Sequence, residues 1–193
     1  MNEVIVIDNA LPNLLFKKLT DIILDEKKFP WFYTSSTAYE EKEIDNLDYS
    51  FSHVTTTEDG DISEMAGLTR LCIDFMLDKA GIKLKELYRA RYGLLTSVGQ
   101  NKIHEPHVDL TFTHTTGLFY LTETEGDTII YNSFYDFKSD MTPSEYWDFK
   151  YGRTAKKCDS ITPKANRLVL LPGKIYHSSS STVNTNKRIV LNF

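Results

Sequence analysis

Cysteine is almost missing from this sequence: Cys72 and Cys158 stand far apart among 193 residues. Two thiols so placed make no disulfide framework, and the expectation is a reduced, cytoplasmic protein. Basic clusters are missing as well. No run of Lys and Arg exceeds two, and the formal net charge is -5, so no nucleic-acid partner is favoured, short of a local basic groove. Long apolar runs are also absent: the opening MNEVIVIDNALPN has an early acidic residue and only a short hydrophobic stretch. That is the pattern of neither a signal peptide nor a membrane span. No repeat, low-complexity tract or linker divides the chain. One domain over residues 1–193 is expected, with an ordinary globular hydrophobic content of 41% and enough length to bury a core unaided.

What the sequence does have is periodicity. Residues 3–7, EVIVI, read as a strand. Leu15, Leu19, Ile22 and Ile23 recur at helical spacing within 11–28, with Pro12 near the first turn. WFYTSSTAY and YSFSHVTTT read as two strands joined by the charged EEKEIDNLD. Leu68, Leu71, Cys72, Phe75 and Met76 form the stripe of a second helix, and Gly81 ends it at C′. From residue 84 the pattern turns to short strands: LKELYRARYGLLT, NKIHEPHVDL, TGLFYLTE, GDTIIYNS, CDSITP, NRLVLLPG and KRIVLNF. The order predicts an α+β fold, with a roll or sandwich of antiparallel strands over 84–193 and the helices of 1–83 packed on one sheet.

Residues 133–155 depart from this pattern. Thr142-Pro143-Ser144-Glu145 spells a capping box with Pro at the first helical position, which predicts a short helix there. The segment's aromatics, from Phe134 to Tyr151, suit either a lid over the mouth of the roll or an anchor for a long loop.

The chemistry lies in His107-Val108-Asp109. Side chains two apart on extended chain project to one side, so the imidazole and the carboxylate can grip one ion. A third ligand must come from elsewhere, and the pattern puts His177 in a loop ahead of the last strand-like run. Two histidines and a carboxylate on one face of an octahedral ion leave positions open, the arrangement of non-haem Fe(II) oxygenases. Zinc is the alternative metal. A helical zinc-protease motif fails here: Val108 holds the place of its second histidine, and Pro106 would break the helix. His104 projects away from Asp109 on a regular strand, and His53 and His114 have no partner at ligand spacing. Both of the latter read as ordinary hydrogen-bonded histidines. Arg188, within KRIVLNF, offers a fork for an acidic co-substrate; the bland reading is a solvated surface charge.

GQNKIHEPHVDL (99–110), TTGLFYLTETEGDTIIY (115–131) and ITPKANRLVLLPGKIYHSSSSTVNTNKRIVLNF (161–193) resemble, in that order, the Fe(II)/2-oxoglutarate-dependent dioxygenases, most closely their prolyl 4-hydroxylase-like branch. The resemblance covers the second half of the chain. It implies a double-stranded β-helix core, the jelly roll also found in cupins. It also implies iron ligation by His107, Asp109 and His177, and pairing of Arg188 with the distal carboxylate of 2-oxoglutarate. Tyr120 matches a tyrosine whose hydroxyl reaches that carboxylate in some members. Fe(II), 2-oxoglutarate and O2 are the implied cofactors, with ascorbate as reductant. The implied reaction is hydroxylation of a prolyl or other peptidyl residue, releasing succinate and CO2. The alternatives are a hydroxylase of a small molecule or free amino acid, and a catalytically silent, cupin-like metal-binding module. Asp109 fills the place that halogenases of this superfamily leave to a small residue, which implies hydroxylation. Tyr120-Leu121-Thr122 and Glu125-Gly126-Asp127 depart from the family's Tyr-Leu-Asn and Gly-Gly, and the first half matches no motif of it.

Overall fold

A computed structural model describes residues 3–25, 27–35, 49–135 and 156–193. Along these residues the elements run β1 (Ile5–Asp8), α1 (Asn13–Ile23), β2 (Phe32–Thr34), β3 (Ser50–Thr57), β4 (Gly60–Asp61), α2 (Ala66–Lys79), β5 (Ala90–Thr96) and β6 (Thr115–Tyr120). They continue with β7 (Thr128–Phe134), β8 (Lys157–Ile161), β9 (Arg167–Pro172), β10 (Ile175–Ser179) and β11 (Lys187–Asn192). The larger sheet has the order β1-β9-β6-β11-β5-β3-β2, with β4 added beside β3, and the smaller is β10-β7-β8. All pairings are antiparallel. Single bridges at Ile103–Ser180 and His107–His177 bring residues 103–107 alongside β10 as a broken fourth strand. Two facing antiparallel sheets carrying two N-terminal helices make the expected double-stranded β-helix.

Strand alternation divides the larger sheet into two chemical faces. Phe119, Leu191 and Tyr92 lie opposite one another across β6, β11 and β5, and all three are fully buried. They join Leu19 and Ile23 of α1 with Cys72, Ile73, Met76 and Leu77 of α2 in one apolar core. Both helices therefore pack on this face. The other face looks into the roll and carries Leu118, Asn192, Arg91 and Val54 in one row, and Tyr120, Val190, Gly93 and Ser52 in the next. Leu118 and Tyr120 meet Ile130, Val169, Leu171 and Ile175 in a second apolar cluster between the sheets.

The second helix ends as its glycine predicts. Gly81 has φ +68°; its N–H reaches the Asp78 carbonyl and that of Ile82 reaches Leu77, which satisfies two terminal carbonyls. The buried stripe is rotated from the expected one, however. Thr69, Ile73 and Leu77 are buried with Cys72 and Met76, whereas Leu71 and Phe75 are 47% and 45% exposed. Thr69 turns inward because its hydroxyl bonds the buried Tyr92 hydroxyl at 2.9 Å.

Two strand expectations also need correction. Residues 101–110 form no regular strand, only the two bridges, since Pro106 lacks the N–H a ladder needs. His177 lies not in a loop but in β10, between residues 103–107 and β7. Ser178 lies in the same strand, buried, with its hydroxyl 3.0 Å from that of Tyr131. The helix expected at Thr142–Glu145 and most of the 133–155 insert lie outside the described residues. Of that insert Phe134 is exposed, while Tyr135 is buried near Tyr176. Among the described residues, no helix is long and apolar enough to cross a membrane.

Candidate metal centre

The pairing of residues 103–107 with β10 sets two ligands face to face. His107 and His177 exchange both backbone hydrogen bonds, at 2.9 and 3.0 Å, and their ring centroids lie 4.9 Å apart. Val108 points the opposite way, buried with Ile129, Tyr131, Tyr135 and Tyr176, which returns the next side chain, Asp109, to the histidines. One ligand atom from each of His107, Asp109 and His177 lies within 4.8 Å of the others. The sequence-predicted triad is thus assembled at one point.

Backbone carbonyls set the tautomers. His107 Nδ1 is 3.1 Å from the Glu105 carbonyl and His177 Nδ1 is 3.2 Å from that of Ile175. A carbonyl only accepts, so each Nδ1 carries a proton and Nε2 is the atom each ring would offer a metal; His177 Nε2 lies 3.4 Å from Asp109 Oδ2. Burial, and then the neighbouring His177, push the His107 pKa down to about 4, so its ring is neutral at pH 7. Burial alone would raise the Asp109 carboxyl. His177, Arg89 and His107 outweigh it and hold the group well below the usual carboxylate range.

Asp109 is also fixed from behind. Arg89 Nη2 donates to Oδ1 at 2.8 Å, Thr116 Oγ1 donates to Oδ2 at 2.9 Å, and the Asn192 amide lies 3.5 Å from Oδ2. Arg89 also reaches Asn192 Oδ1 at 3.1 Å, so one guanidinium orients both the ligand and its neighbour. The donor set, two imidazoles and one oriented carboxylate, fits a divalent metal with open positions.

A cavity of about 100 Å³ opens on the triad, and its wall includes Arg91, Gly93, Thr128 and Arg188. Arg188 is 4% exposed, not a solvated charge. Its Nε donates to the Gly126 carbonyl at 2.8 Å and its Nη2 to Thr128 Oγ1 at 2.9 Å. Among the described residues no carboxylate lies in salt-bridge contact with it. Tyr120 stands beside it, the guanidinium carbon 5.5 Å from the ring centroid. The Tyr120 hydroxyl bonds Thr128 at 2.6 Å, and the side chain is fully buried and not part of the cavity wall.

The other histidines stay apart from the centre. His53 bonds the Pro30 carbonyl and Ser63, His114 bonds the Phe112 carbonyl, and His104 is buried without joining the ligand group. Arg89, Arg91, Thr116, Thr128 and Asn192 support or line the centre without being singled out by any sequence motif. Only Asn192 carries a signal in the sequence, since it shares a strand face with Arg188.

No family model and no curated protein matches this chain. Solved structures match along nearly its whole length. An oxidoreductase of the 2OG-Fe(II) oxygenase family from Burkholderia pseudomallei superposes with TM-score 0.62 at 10% identity, over 98% of this chain and 83% of that one. A Pseudomonas putida prolyl-4-hydroxylase gives 0.56 at 12% identity, covering 100% and 91%. The epimerase SnoN, solved with Fe3+, alpha ketoglutarate and nogalamycin RO, gives 0.59 at 13% identity, covering 99% and 77%. The chain has the fold of the 2OG-Fe(II) oxygenases. Within that fold, proteins of different reaction type are equally similar to it.

Proposed function

We propose that this protein is an Fe(II)- and 2-oxoglutarate-dependent oxygenase that hydroxylates a C–H bond. One observation carries the reading. A buried guanidinium, Arg188, without a carboxylate partner among the described residues, shares a cavity with a His-Asp-His cluster. A buried cation is costly until an anion meets it, and Arg presents a fork matched to a carboxylate. On β11, Arg188 lies four residues from Asn192, which touches Asp109. At about 3.3 Å of rise per residue, roughly 13 Å of strand separates the two levels. A dicarboxylic acid held at the metal would extend toward Arg188 along that strand.

His107, Asp109 and His177 would hold the iron, and Arg188 the far carboxylate, with Thr128 and Tyr120 keeping the guanidinium in place. The bound iron supplies oxygen chemistry in which 2-oxoglutarate, O2 and R–H become succinate, CO2 and R–OH. The protein's share is to orient the target C–H and to exclude water. A prolyl or other peptidyl residue is the first substrate class to test. The second, a small molecule, is supported by the small volume of the cavity and by the polar groups on its wall.

The test is succinate release with Fe(II), ascorbate and 2-oxoglutarate, together with a +16 Da product in peptide and metabolite panels. His107→Ala is expected to abolish both. Equal turnover by wild type and His107→Ala removes the triad assignment, and stoichiometric binding of metal and co-acid with no turnover on any panel favours the silent module.

A further inference from the structure

The cavity wall carries a second guanidinium that the co-substrate does not require. Arg91 on β5 lies directly across from Asn192 on β11, whereas Arg188 lies across from Leu95. Since Asn192 reaches Asp109, Arg91 stands at the level of the metal ligands and Arg188 at the far end. Arg91 also lies one strand further toward the open side of the sheet. Beyond it on β3, Ser52 lies across from Gly93, one step along the wall from Arg91, while Ser50 lies further on, at the level of Leu95 and Arg188; Gly93 leaves the wall between Arg91 and Ser52 clear.

Arg91 is short of counter-charge. Among the described residues it makes no hydrogen bond or ion pair, although it is partly buried. The carboxylate nearest the metal, Asp109, is already paired with Arg89 and bonded by Thr116. Burial and then the neighbouring Arg89 pull the Arg91 pKa below the usual guanidinium value, as expected for a cation facing like charge in a cleft. One forked cation with a hydroxyl one step along the wall matches a monoanionic carboxylate.

We infer that Arg91, with Ser52 beside it, receives a carboxylate of the substrate to be oxidised, so that the attacked carbon lies within a few bonds of an acid group. The inference rests on the oxygenase reading above and narrows its substrate class. The acid can belong to a free amino acid or small acid, or to a peptide that presents a carboxylate beside the reacting residue; the shared chemistry is the carboxylate at Arg91.

The test uses the protein loaded with Mn(II) and 2-oxoglutarate, where no turnover occurs. Butanoate is the probe, followed by paramagnetic relaxation of its protons, with butanamide as the uncharged control. The wild type is expected to show saturable relaxation of butanoate and none of butanamide. Arg91→Gln is expected to weaken butanoate binding at least about tenfold and Ser52→Ala about threefold, the loss of a charged and of a neutral hydrogen-bond partner. Both variants should keep the 2-oxoglutarate affinity within about twofold, as for a site the co-substrate does not touch. Failure of 2-oxoglutarate to bind the Mn(II)-loaded wild type would sink the oxygenase reading itself. Normal co-substrate binding with no butanoate relaxation, or loss of 2-oxoglutarate affinity in Arg91→Gln, overturns only the substrate assignment. Succinate release then separates the sources: stimulation by free amino acids over their amides marks a small acid, stimulation by acid-bearing peptides marks a peptidyl substrate, and stimulation by amides equal to acids overturns the proposal.

Discussion

Replacing Arg188 with methionine should leave the fold nearly as stable while removing the response to 2-oxoglutarate. The side chain is buried, with two hydrogen bonds and no carboxylate partner among the described residues. Hydrogen bonds to a charged group contribute about 1.5–3 kcal/mol each, and burying the charge costs several kcal/mol. The two nearly cancel. A methionine of similar length fills the space and leaves the Gly126 carbonyl without its donor, while Thr128 keeps the Tyr120 hydroxyl. The metal-loaded variant should therefore lie within about 2 kcal/mol of wild type. Ligand binding behaves differently. At a hundredfold excess over Kd, 2-oxoglutarate stabilises the wild type by about 2.7 kcal/mol, which is roughly 5–10 °C of Tm for a chain of this size. Loss of a buried carboxylate pair worth about 3 kcal/mol raises Kd by about 150-fold. The same concentration then stabilises Arg188→Met by only about 0.3 kcal/mol, a shift under about 1 °C. Thermal unfolding with Mn(II), with and without 2-oxoglutarate, reads both quantities at once. A variant that keeps most of the ligand-induced shift would refute the assignment of Arg188. A variant that loses several kcal/mol without ligand would refute the cancellation argument.

Arg89→Met should weaken divalent metal binding about 10- to 100-fold, because it frees the carboxylate that Arg89 orients; calorimetric titration with Mn(II) measures this, and an unchanged affinity would show that Thr116 and Asn192 suffice. Glu125 provides the acid limb. Burial would raise its carboxyl, but backbone N–H groups of the 183–185 loop and the Thr185 hydroxyl donate to it, bringing it from an ordinary 4.5 down to about 2. A folded value below the unfolded one means that this stabilisation is complete above pH 4.5 and is lost as the pH falls toward 2. Glu125→Gln should therefore be less stable than wild type at pH 7, and the gap should close across that window in denaturant titrations.

The site was legible where the chain spells it locally and obscure where only register creates it. His107 and Asp109 sit two apart, and extended chain alone puts them on one side, even though Pro106 keeps the stretch from forming a ladder. Arg188 could be read because KRIVLNF alternates cleanly between a roll face and a core face. β10 was hidden by its composition: IYHSS lacks the apolar run of a buried strand, since its polar side chains are satisfied inside the roll by Tyr131 and by main chain. Arg89 and Arg91 looked like ordinary charges within RARYG. Their roles come from the pairing of β5 with β11, which sets Arg91 across from Asn192 and brings Arg89 to Asp109. No spacing rule within either segment contains that register. The helix α2 stripe was misplaced for a related reason, because an inward threonine became favourable only when a tyrosine from another strand supplied its partner.

That Thr69–Tyr92 contact also tests whether the two faces of the larger sheet act independently. Tyr92 is fully buried on the helix side of β5, between Arg91 and Gly93, which line the cavity on the other side. Tyr92→Phe keeps the ring and its packing but leaves the buried Thr69 hydroxyl without its partner. The expected loss is about 1–2 kcal/mol of unfolding free energy, read from urea titration. Because alternation sends consecutive side chains to opposite faces, the 2-oxoglutarate affinity of the Mn(II)-loaded variant should stay within about twofold of wild type. A larger change would mean that helix packing positions Arg91 and its neighbours through the backbone of β5. The cavity would then be set by the N-terminal half as much as by the roll, and substitutions in α2 would have to be counted among those that alter the site.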